Sequence, residues 1–227
     1  MNRAAIIVAG GRGARMGSPI PKQYLEIGGK PVLMWTLEVF YQLDPSIKLV
    51  LVIPEVDFSF WQELCQQFGF TVPHEVVAGG MSRFQSVKNG LNSISWKDGL
   101  VAIHDGVRPF VSPEVISLGY DKAAEYGSAI AVTPLKDSIR KLTDENKSFY
   151  QERQYFRLVQ TPQTFDLKMI KQAFDVTELH HFTDDATVFE HQGRQVYLIA
   201  GNYENIKITT PEDMEYAQFL LHRRKGD

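Results

Sequence analysis

The segment Val8–Tyr24 reads VAGGRGARMGSPIPKQY and concentrates glycine and positive charge. Glycines at positions 10, 11 and 13 let a ligand approach the main chain and leave N–H groups exposed. Arg12, Arg15 and Lys22 add charge suited to a polyphosphate: a guanidinium grips two phosphate oxygens at once, and an ammonium acts as a point charge. Pro19 and Pro21 stiffen the run before Lys22 and limit its reach. The first 25 residues carry Arg3, Arg12, Arg15 and Lys22 and no acid, although the whole chain has a net charge of −3. This imbalance points to an anion site rather than a plain solvated turn.

Other constellations follow. In VAIHDGVRPFV, His104-Asp105 ends a second apolar run. The acid faces the same edge as the glycine loop. It could hold a phosphate-bound metal or a sugar or polyol hydroxyl; it could also cap a helix or pair with Arg108. His104 reads as a hydrogen-bonded structural histidine. The stretch TPQTF, Thr161 to Phe165, is polar and follows the apolar pair Leu158-Val159. In FTDDATVFE, Asp184 and Asp185 read as a helix cap and a first-turn charge rather than a metal pair. Lys207 lies between Ile206 and Ile208, so it points away from both, toward solvent or a site. His180-His181 lacks zinc-protease spacing and reads as a loop pair.

Two familiar phosphate motifs are excluded. No window matches the P-loop, because Gly29-Lys30 is followed by Pro31. The dinucleotide fingerprint fails at Met16, where a third small residue is required, which argues against a nicotinamide-dependent oxidoreductase. No Ser/His/Asp arrangement of certain order is present. That absence suits phosphoryl or nucleotidyl transfer, in which a substrate phosphate is the nucleophile and the protein positions and neutralises charge.

These residues need a frame to hold them. Apolar runs at Ala5–Ala9, Leu49–Ile53, Val76–Ala78, Leu100–His104, Ala129–Thr133, Val196–Ala200 and Ile206–Ile208 predict strands buried on both faces. Helical spacing or helix-start signals occur at Pro31–Leu43, Asp57–Phe68, Ser82–Ile94, from Ser112, at Thr183–Gln192, and from Thr210 to about Arg224. The alternation predicts an α/β fold, a mostly parallel Rossmann-like sheet flanked by helices, of nucleotidyltransferase type. Residues 136–156 break the rhythm. They are polar, nearly alternating around Ile139 and Leu142, and carry a turn signal at 143–146. We expect a β-hairpin arm projecting from the sheet. A lone ribbon is marginal, so it should pack on something, for which a second subunit is the candidate.

Composition sets the outer limits. With 227 residues, 44% hydrophobic and 22% charged, the chain suits one domain over residues 1–227. Its acidic balance argues against nucleic acid as a partner. Cys65 is the single cysteine, so neither an internal disulfide nor a cysteine zinc site can form. The N-terminal apolar run is too short to span a membrane and lacks a secretory cleavage pattern. The expectation is a soluble, cytoplasmic protein with no membrane partner.

The motifs AGGRGARMGSPIPKQY, HDGVRPF, QTPQTF, FTDDA and NIKITTPEDM occur in that order. Together they resemble the 2-C-methyl-D-erythritol 4-phosphate cytidylyltransferases of the non-mevalonate isoprenoid pathway, over about the whole chain. The resemblance implies CTP and a polyol phosphate as substrates, with Mg²⁺ or another divalent cation bridging the triphosphate. It implies that Ala9, Gly10, Gly11 and Gly13 bind the nucleotide, and that Arg15 and Lys22 stabilise the transition state. Gly79, Gly80, Arg83 and Ser86 would form the cytosine and ribose pocket. Asp105 would bind hydroxyls and help place the metal. Arg153 and Lys207 would position the acceptor phosphate, with Ser138, Thr161 and Thr183 as further acceptor contacts. The arm would cross into the partner of a homodimer, so that Ser138 and Arg153 serve the neighbouring site. Gly106-Val107 stand where many members have two alanines, and Ser138 where threonine is frequent. Ribitol-5-phosphate cytidylyltransferases share the loop, TPQTF and KITT, and use the same chemistry on another polyol. A catalytically silent nucleotide-binding module is disfavoured, because Arg15, Lys22, Asp105, Arg153 and Lys207 are all retained.

Overall fold

A computed structural model of the chain describes residues 1–11 and 19–226. The first half alternates strands and helices. β1 (Arg3–Val8) leads through the two-residue strands β2 (Glu26–Ile27) and β3 (Lys30–Pro31) to α1 (Val32–Leu43). Then come β4 (Lys48–Ile53), α2 (Phe58–Gln67), β5 (Glu75–Ala78), α3 (Arg83–Ser93), β6 (Leu100–Asp105), α4 (Pro113–Tyr126) and β7 (Ser128–Pro134). The second half holds β8 (Ile139–Asp144), β9 (Lys147–Gln151), β10 (Arg157–Asp166), α5 (Leu167–Ala173), α6 (Asp185–His191), β11 (Leu198–Ala200) and α7 (Pro211–Gly226).

Seven strands form one sheet in the order β11-β7-β10-β6-β1-β4-β5. Pairing is parallel except along β10, which runs antiparallel to both β6 and β7. The mostly parallel α/β sheet is therefore as expected. The strand order reverses around β1: the chain goes outward to β4 and β5, then returns to lay β6 on the other side. Ligands in open α/β sheets bind at such a switch point, beyond the strands' carboxyl ends. Here Val8 is paired with Asp105, so the glycine loop and the acid leave the sheet side by side.

Side chains alternate across the sheet with the period of a strand. Ala5 and Ile7 of β1 join Leu37 and Phe40 of α1 and Ile116 and Tyr120 of α4 on one face. Ala4 and Ile6 meet Val87 and Leu91 of α3 and Ile170 of α5 on the other. A third cluster sits at the sheet's end, where Leu220 and Leu221 of α7 pack on Ile27, Val107, Phe110 and Ile208. Local signals fix the helix ends. The Ser112 hydroxyl accepts from the Val115 N–H at 3.3 Å, and Gly127 at φ 81° stops α4.

Two expectations need correction, and one strand was not foreseen. Residues 206–208 do not form a strand; Ile208 donates one backbone bond to the Val107 carbonyl (3.0 Å), and no ladder follows. The edge strand near 196–200 is confined to Leu198–Ala200. The stretch from Arg157 to Asp166, to which the sequence assigned no element, is a ten-residue strand. Pro162 is tolerated there because the β10–β7 register shifts between Val159 and Gln163, where no ladder N–H is required. The expected hairpin is present as the separate β8–β9 ribbon. The Arg153 guanidinium at its base donates to the Lys136 carbonyl.

Gly90 of α3 faces the sheet, and a Cβ there would lie 2.8 Å from Ile6 Cγ2 and 3.0 Å from Val52 Cγ2. Gly90→Ala improves helix propensity by up to about 1 kcal/mol, but overpacking costs ~1–3 kcal/mol. Denaturant titration should show a net loss of stability; a gain would mean that α3 is not pressed against β1 and β4 as described.

Candidate active site

A cavity of about 720 Å³ opens at the carboxyl ends of β1 and β6. Ala9, Gly10 and Gly11 form one wall, Gly79 and Gly80 another. Close packing requires the second glycine pair. A Cβ on Gly80 would stand 2.3 Å from Gln85 Cβ, and one on Gly79 would stand 3.1 Å from Ser86 Oγ. The Ser86 hydroxyl accepts from the Gly80 N–H (3.1 Å) and donates to the Ser82 carbonyl (2.8 Å). Ser82 in turn caps α3, accepting from the Gln85 N–H.

Lys22 enters the cavity from a short 3₁₀ turn, Lys22–Tyr24. Two side chains anchor that turn. The buried Gln23 amide donates to the Ala9 carbonyl at 2.9 Å, and the Tyr24 hydroxyl donates to Asp57 Oδ2 at 3.1 Å. Tyr24 packs edge-on against Phe60, with ring centroids 5.3 Å apart. The base of Lys22 is thus tied directly to the end of β1.

Asp105 lies opposite, buried at 7% exposure. Its Oδ2 meets Arg108 Nε at 3.0 Å and Lys207 Nζ at 3.1 Å, while Arg83 Nε approaches Oδ1 at 3.9 Å. Burial alone would raise the carboxyl's pKa. The positive charges of Lys207, Arg83 and Arg108 override it and hold Asp105 well below the usual carboxylate range. Arg83 is itself bidentate to Asp185, at 2.8 and 2.6 Å. Burial pushes the fully buried Asp185 carboxyl up, and the Arg83 fork offsets only part of that rise.

Behind Asp105 runs a one-way relay of hydrogen bonds. The Arg108 carbonyl can only accept, so His104 Nε2 carries the proton (3.0 Å). His104 Nδ1 therefore accepts from the Thr161 hydroxyl (3.0 Å), and that oxygen accepts from the Asp105 N–H (3.0 Å). Burial lowers the His104 pKa to about 4, so the ring is neutral and fully partnered near pH 7. It is a structural histidine, not a base.

The cavity gathers Ala9, Gly10, Gly11, Lys22, Gly79, Gly80, Arg83, Ser86, Asp105 and Lys207 from the residues singled out in sequence. Arg15 and Gly13 lie outside the described residues. Thr161 sits behind the cavity with its hydroxyl in the relay. Thr183 is exposed, two residues before Asp185. Ser138 and Arg153 are exposed at the base of the arm, away from the cavity lining.

A family model described as 2-C-methyl-D-erythritol 4-phosphate cytidylyltransferase matches residues 3–223. The chain belongs to this cytidylyltransferase family. A member of that name from Bacteroides fragilis is 49% identical over 221 residues, spanning 97% of this chain and 100% of the relative. The Phocaeicola vulgatus member is 47% identical with the same coverage. The crystal structure of a 4-diphosphocytidyl-2C-methyl-D-erythritol synthase from Anaerococcus prevotii matches with a TM-score of 0.84 at 32% identity, covering 98% of this chain and 96% of that one.

In this cytidylyltransferase the Gly106 departure has a packing reason. A Cβ there would lie 2.8 Å from Ala9 Cβ and 2.9 Å from Leu33 Cδ1. Several positioning residues went unassigned in sequence. Gln23 hides in a PKQY run with no charge to mark it. Arg108 was visible only as a possible partner three residues from Asp105. Gln163 donates to Asp184 Oδ2 and accepts from the Ala186 N–H, both at 2.9 Å, pinning α6 to β10. No helix among the described residues is long and apolar enough to cross a membrane.

Among the described residues no group of three His, Cys, Asp or Glu side chains could hold a metal alone. Asp105 nevertheless fits a cation that arrives with phosphates: Mg²⁺ typically takes one or two carboxylates and completes its shell with waters and substrate oxygens. The Oδ1 atom, which among the described residues faces only the 3.9 Å approach of Arg83, is the oxygen suited to it.

The relay makes stability depend on pH. His104 stays neutral in the fold and protonates when unfolded, so its contribution is complete above about pH 6.5 and is lost as pH falls toward 4. The full loss is on the order of 3 kcal/mol. His74, lowered by burial, acts in the same direction. His104→Gln should flatten the stability–pH profile between those limits without abolishing its slope; an unchanged profile in chemical denaturation would remove His104 from the account.

Proposed function

We propose that this chain transfers CMP from CTP to 2-C-methyl-D-erythritol 4-phosphate, releasing diphosphate and forming the CDP-alcohol. One observation carries the reading: a single cavity of about 720 Å³ joins a glycine-backbone wall, Lys22, Lys207 and an ionised Asp105, in a chain of the cytidylyltransferase family. An oxygen of the acceptor phosphate attacks the α-phosphorus of CTP. The new P–O bond forms as the bond from the α-phosphorus to the bridging oxygen breaks, and diphosphate carries away the electron pair. A phosphate is largely ionised near neutral pH, so no side chain need remove a proton. The neutral, fully partnered His104 accords with that. Work in the site is electrostatic.

Lys22 is placed to neutralise charge on the triphosphate as the transition state forms, with Arg15 as its companion from the loop. The backbone of Ala9 to Gly11 faces the phosphates, and Gly79, Gly80 and Ser86 shape the nucleoside pocket. Lys207, held at Asp105 in the free protein, is placed to receive the acceptor phosphate. Asp105 would hold a divalent cation that arrives with the nucleotide, and that cation would supply further charge neutralisation on the phosphates. The chain's place is a soluble, cytoplasmic one.

The arm suggests where the remaining acceptor groups come from. Leu142, Phe149 and Tyr150 are 71%, 66% and 63% exposed on β8–β9. Such apolar side chains on a thin ribbon fit burial against a second copy of this chain. The arm over residues 136–156 is then a dimerisation element on an otherwise single domain. In a homodimer Ser138 and Arg153 would reach the partner's cavity, joined there by Thr183.

Diphosphate release with CTP and Mg²⁺ tests the substrate. Methylerythritol 4-phosphate should be used far better than ribitol 5-phosphate; the reverse preference would keep the mechanism and reassign the polyol. Lys22→Ala should lower kcat by about two orders of magnitude or more. Near-parental turnover would take Lys22 out of the transition state. Arg153→Ala subunits mixed with Lys22→Ala subunits should regain activity if arms are exchanged. No gain in confirmed heterodimers would place both residues in one subunit's site.

A further inference from the structure

Asp185 is the first residue of α6 and has 0% exposure. It is not needed as a cap. Asp184 fills that role, accepting from the Thr187 N–H at 2.9 Å within a capping box. A buried carboxylate that does not cap its helix needs another reason to be there, and Arg83 supplies it. Both terminal nitrogens of the guanidinium are committed to Asp185, at 2.8 and 2.6 Å. Only the Nε edge is left toward Asp105, at 3.9 Å, too far for a hydrogen bond.

The result is an alternating row of charges: Lys207, Asp105, Arg83, Asp185. Oδ2 of Asp105 is taken by Arg108 and Lys207. Oδ1 accepts no hydrogen bond from the described residues. A guanidinium released from Asp185 would find Asp105 as the adjacent carboxylate, and its fork geometry favours a bidentate grip. That grip would close Oδ1.

We propose that Asp185 is a positioning residue that keeps Oδ1 of Asp105 open to a divalent cation by holding both terminal nitrogens of Arg83. The proposal rests on the reading of Asp105 as the carboxylate that meets the nucleotide-bound cation. Asp185 touches no substrate; it acts through Arg83. Its loss therefore weakens cation binding and leaves a site that excess cation can refill.

The experiment is Mn²⁺ binding followed by electron paramagnetic resonance, with a CTP analogue that cannot release diphosphate. Asp105→Asn should abolish nucleotide-dependent Mn²⁺ binding; parental binding there would overturn the reading of Asp105, whatever Asp185 does. With Asp105 confirmed, Asp185→Asn should weaken Mn²⁺ binding tenfold or more, and raised Mg²⁺ should restore most of its turnover. Parental Mn²⁺ affinity in Asp185→Asn, or a turnover defect that Mg²⁺ cannot relieve, would overturn the proposal. If the single variant fails to fold, the test passes to the Arg83→Met background. There the guanidinium is gone, so adding Asp185→Asn should change Mn²⁺ affinity less than twofold, and a further loss of threefold or more would refute a role through Arg83.

Discussion

A buried carboxylate at the end of a central strand must stay charged, and much of the candidate site is arranged around that requirement. Asp105 is almost removed from water, which by itself favours the neutral acid. Three cations hold it ionised, and they arrive from three places: Arg83 on α3, Arg108 just past β6, and Lys207 on the segment before α7. The carboxylate could not stay ionised at that depth without these cations. Breaking such a pair from one side typically costs ~3–5 kcal/mol. The same arrangement stores charge where a phosphate ester would be met.

The second contribution is directional. From the Asp105 N–H through Thr161 and His104 to the Arg108 carbonyl, every buried donor faces an acceptor. The relay links β6 to the antiparallel strand β10. A neutral imidazole is the only form that fits, because its two nitrogens must play opposite roles. Histidine next to aspartate in a cavity invites a general-base assignment, and its partners rule that out. On the proposed reading the chemistry is left to backbone N–H groups and fixed charges, which is what nucleotidyl transfer between two anions demands of a protein.

How far the sequence could be read depended on how local each signal was. The glycine loop and Lys22 declared themselves because glycine, cation and proline lie within one short run after a strand. The parallel core was legible from apolar runs that bury both faces. β10 was not, because Pro162 and a row of glutamines and threonines disguise a strand in which Gln160, Thr161 and Gln163 find hydrogen-bond partners inside the protein. Residues 206–208 looked like a strand because isoleucines flank Lys207; the flanking residues instead dock in the cluster under α7. Arg83 was expected in a nucleoside pocket, and it lines the cavity at the end of β1 and β6. Its bidentate partner is 102 residues away, and no spacing rule reveals that. Asp185 was correctly seen as a first-turn charge of α6, but its burial and its hold on Arg83 appear only in three dimensions.

The charge row has a consequence for how the molecule comes into being. Its members stand at positions 83, 105, 185 and 207, so a chain leaving the ribosome carries Asp105 long before Lys207 exists. Until then the carboxylate lacks one of its three cations, and water must serve in its place. The sheet's central strands can pair early, but the site acquires its balance of charge only when the 205–209 segment folds across the end of β6. Affinity for a phosphate ester is in this sense a late property of the chain, and a ligand that depends on Lys207 will select the fully assembled molecule over a partly folded one.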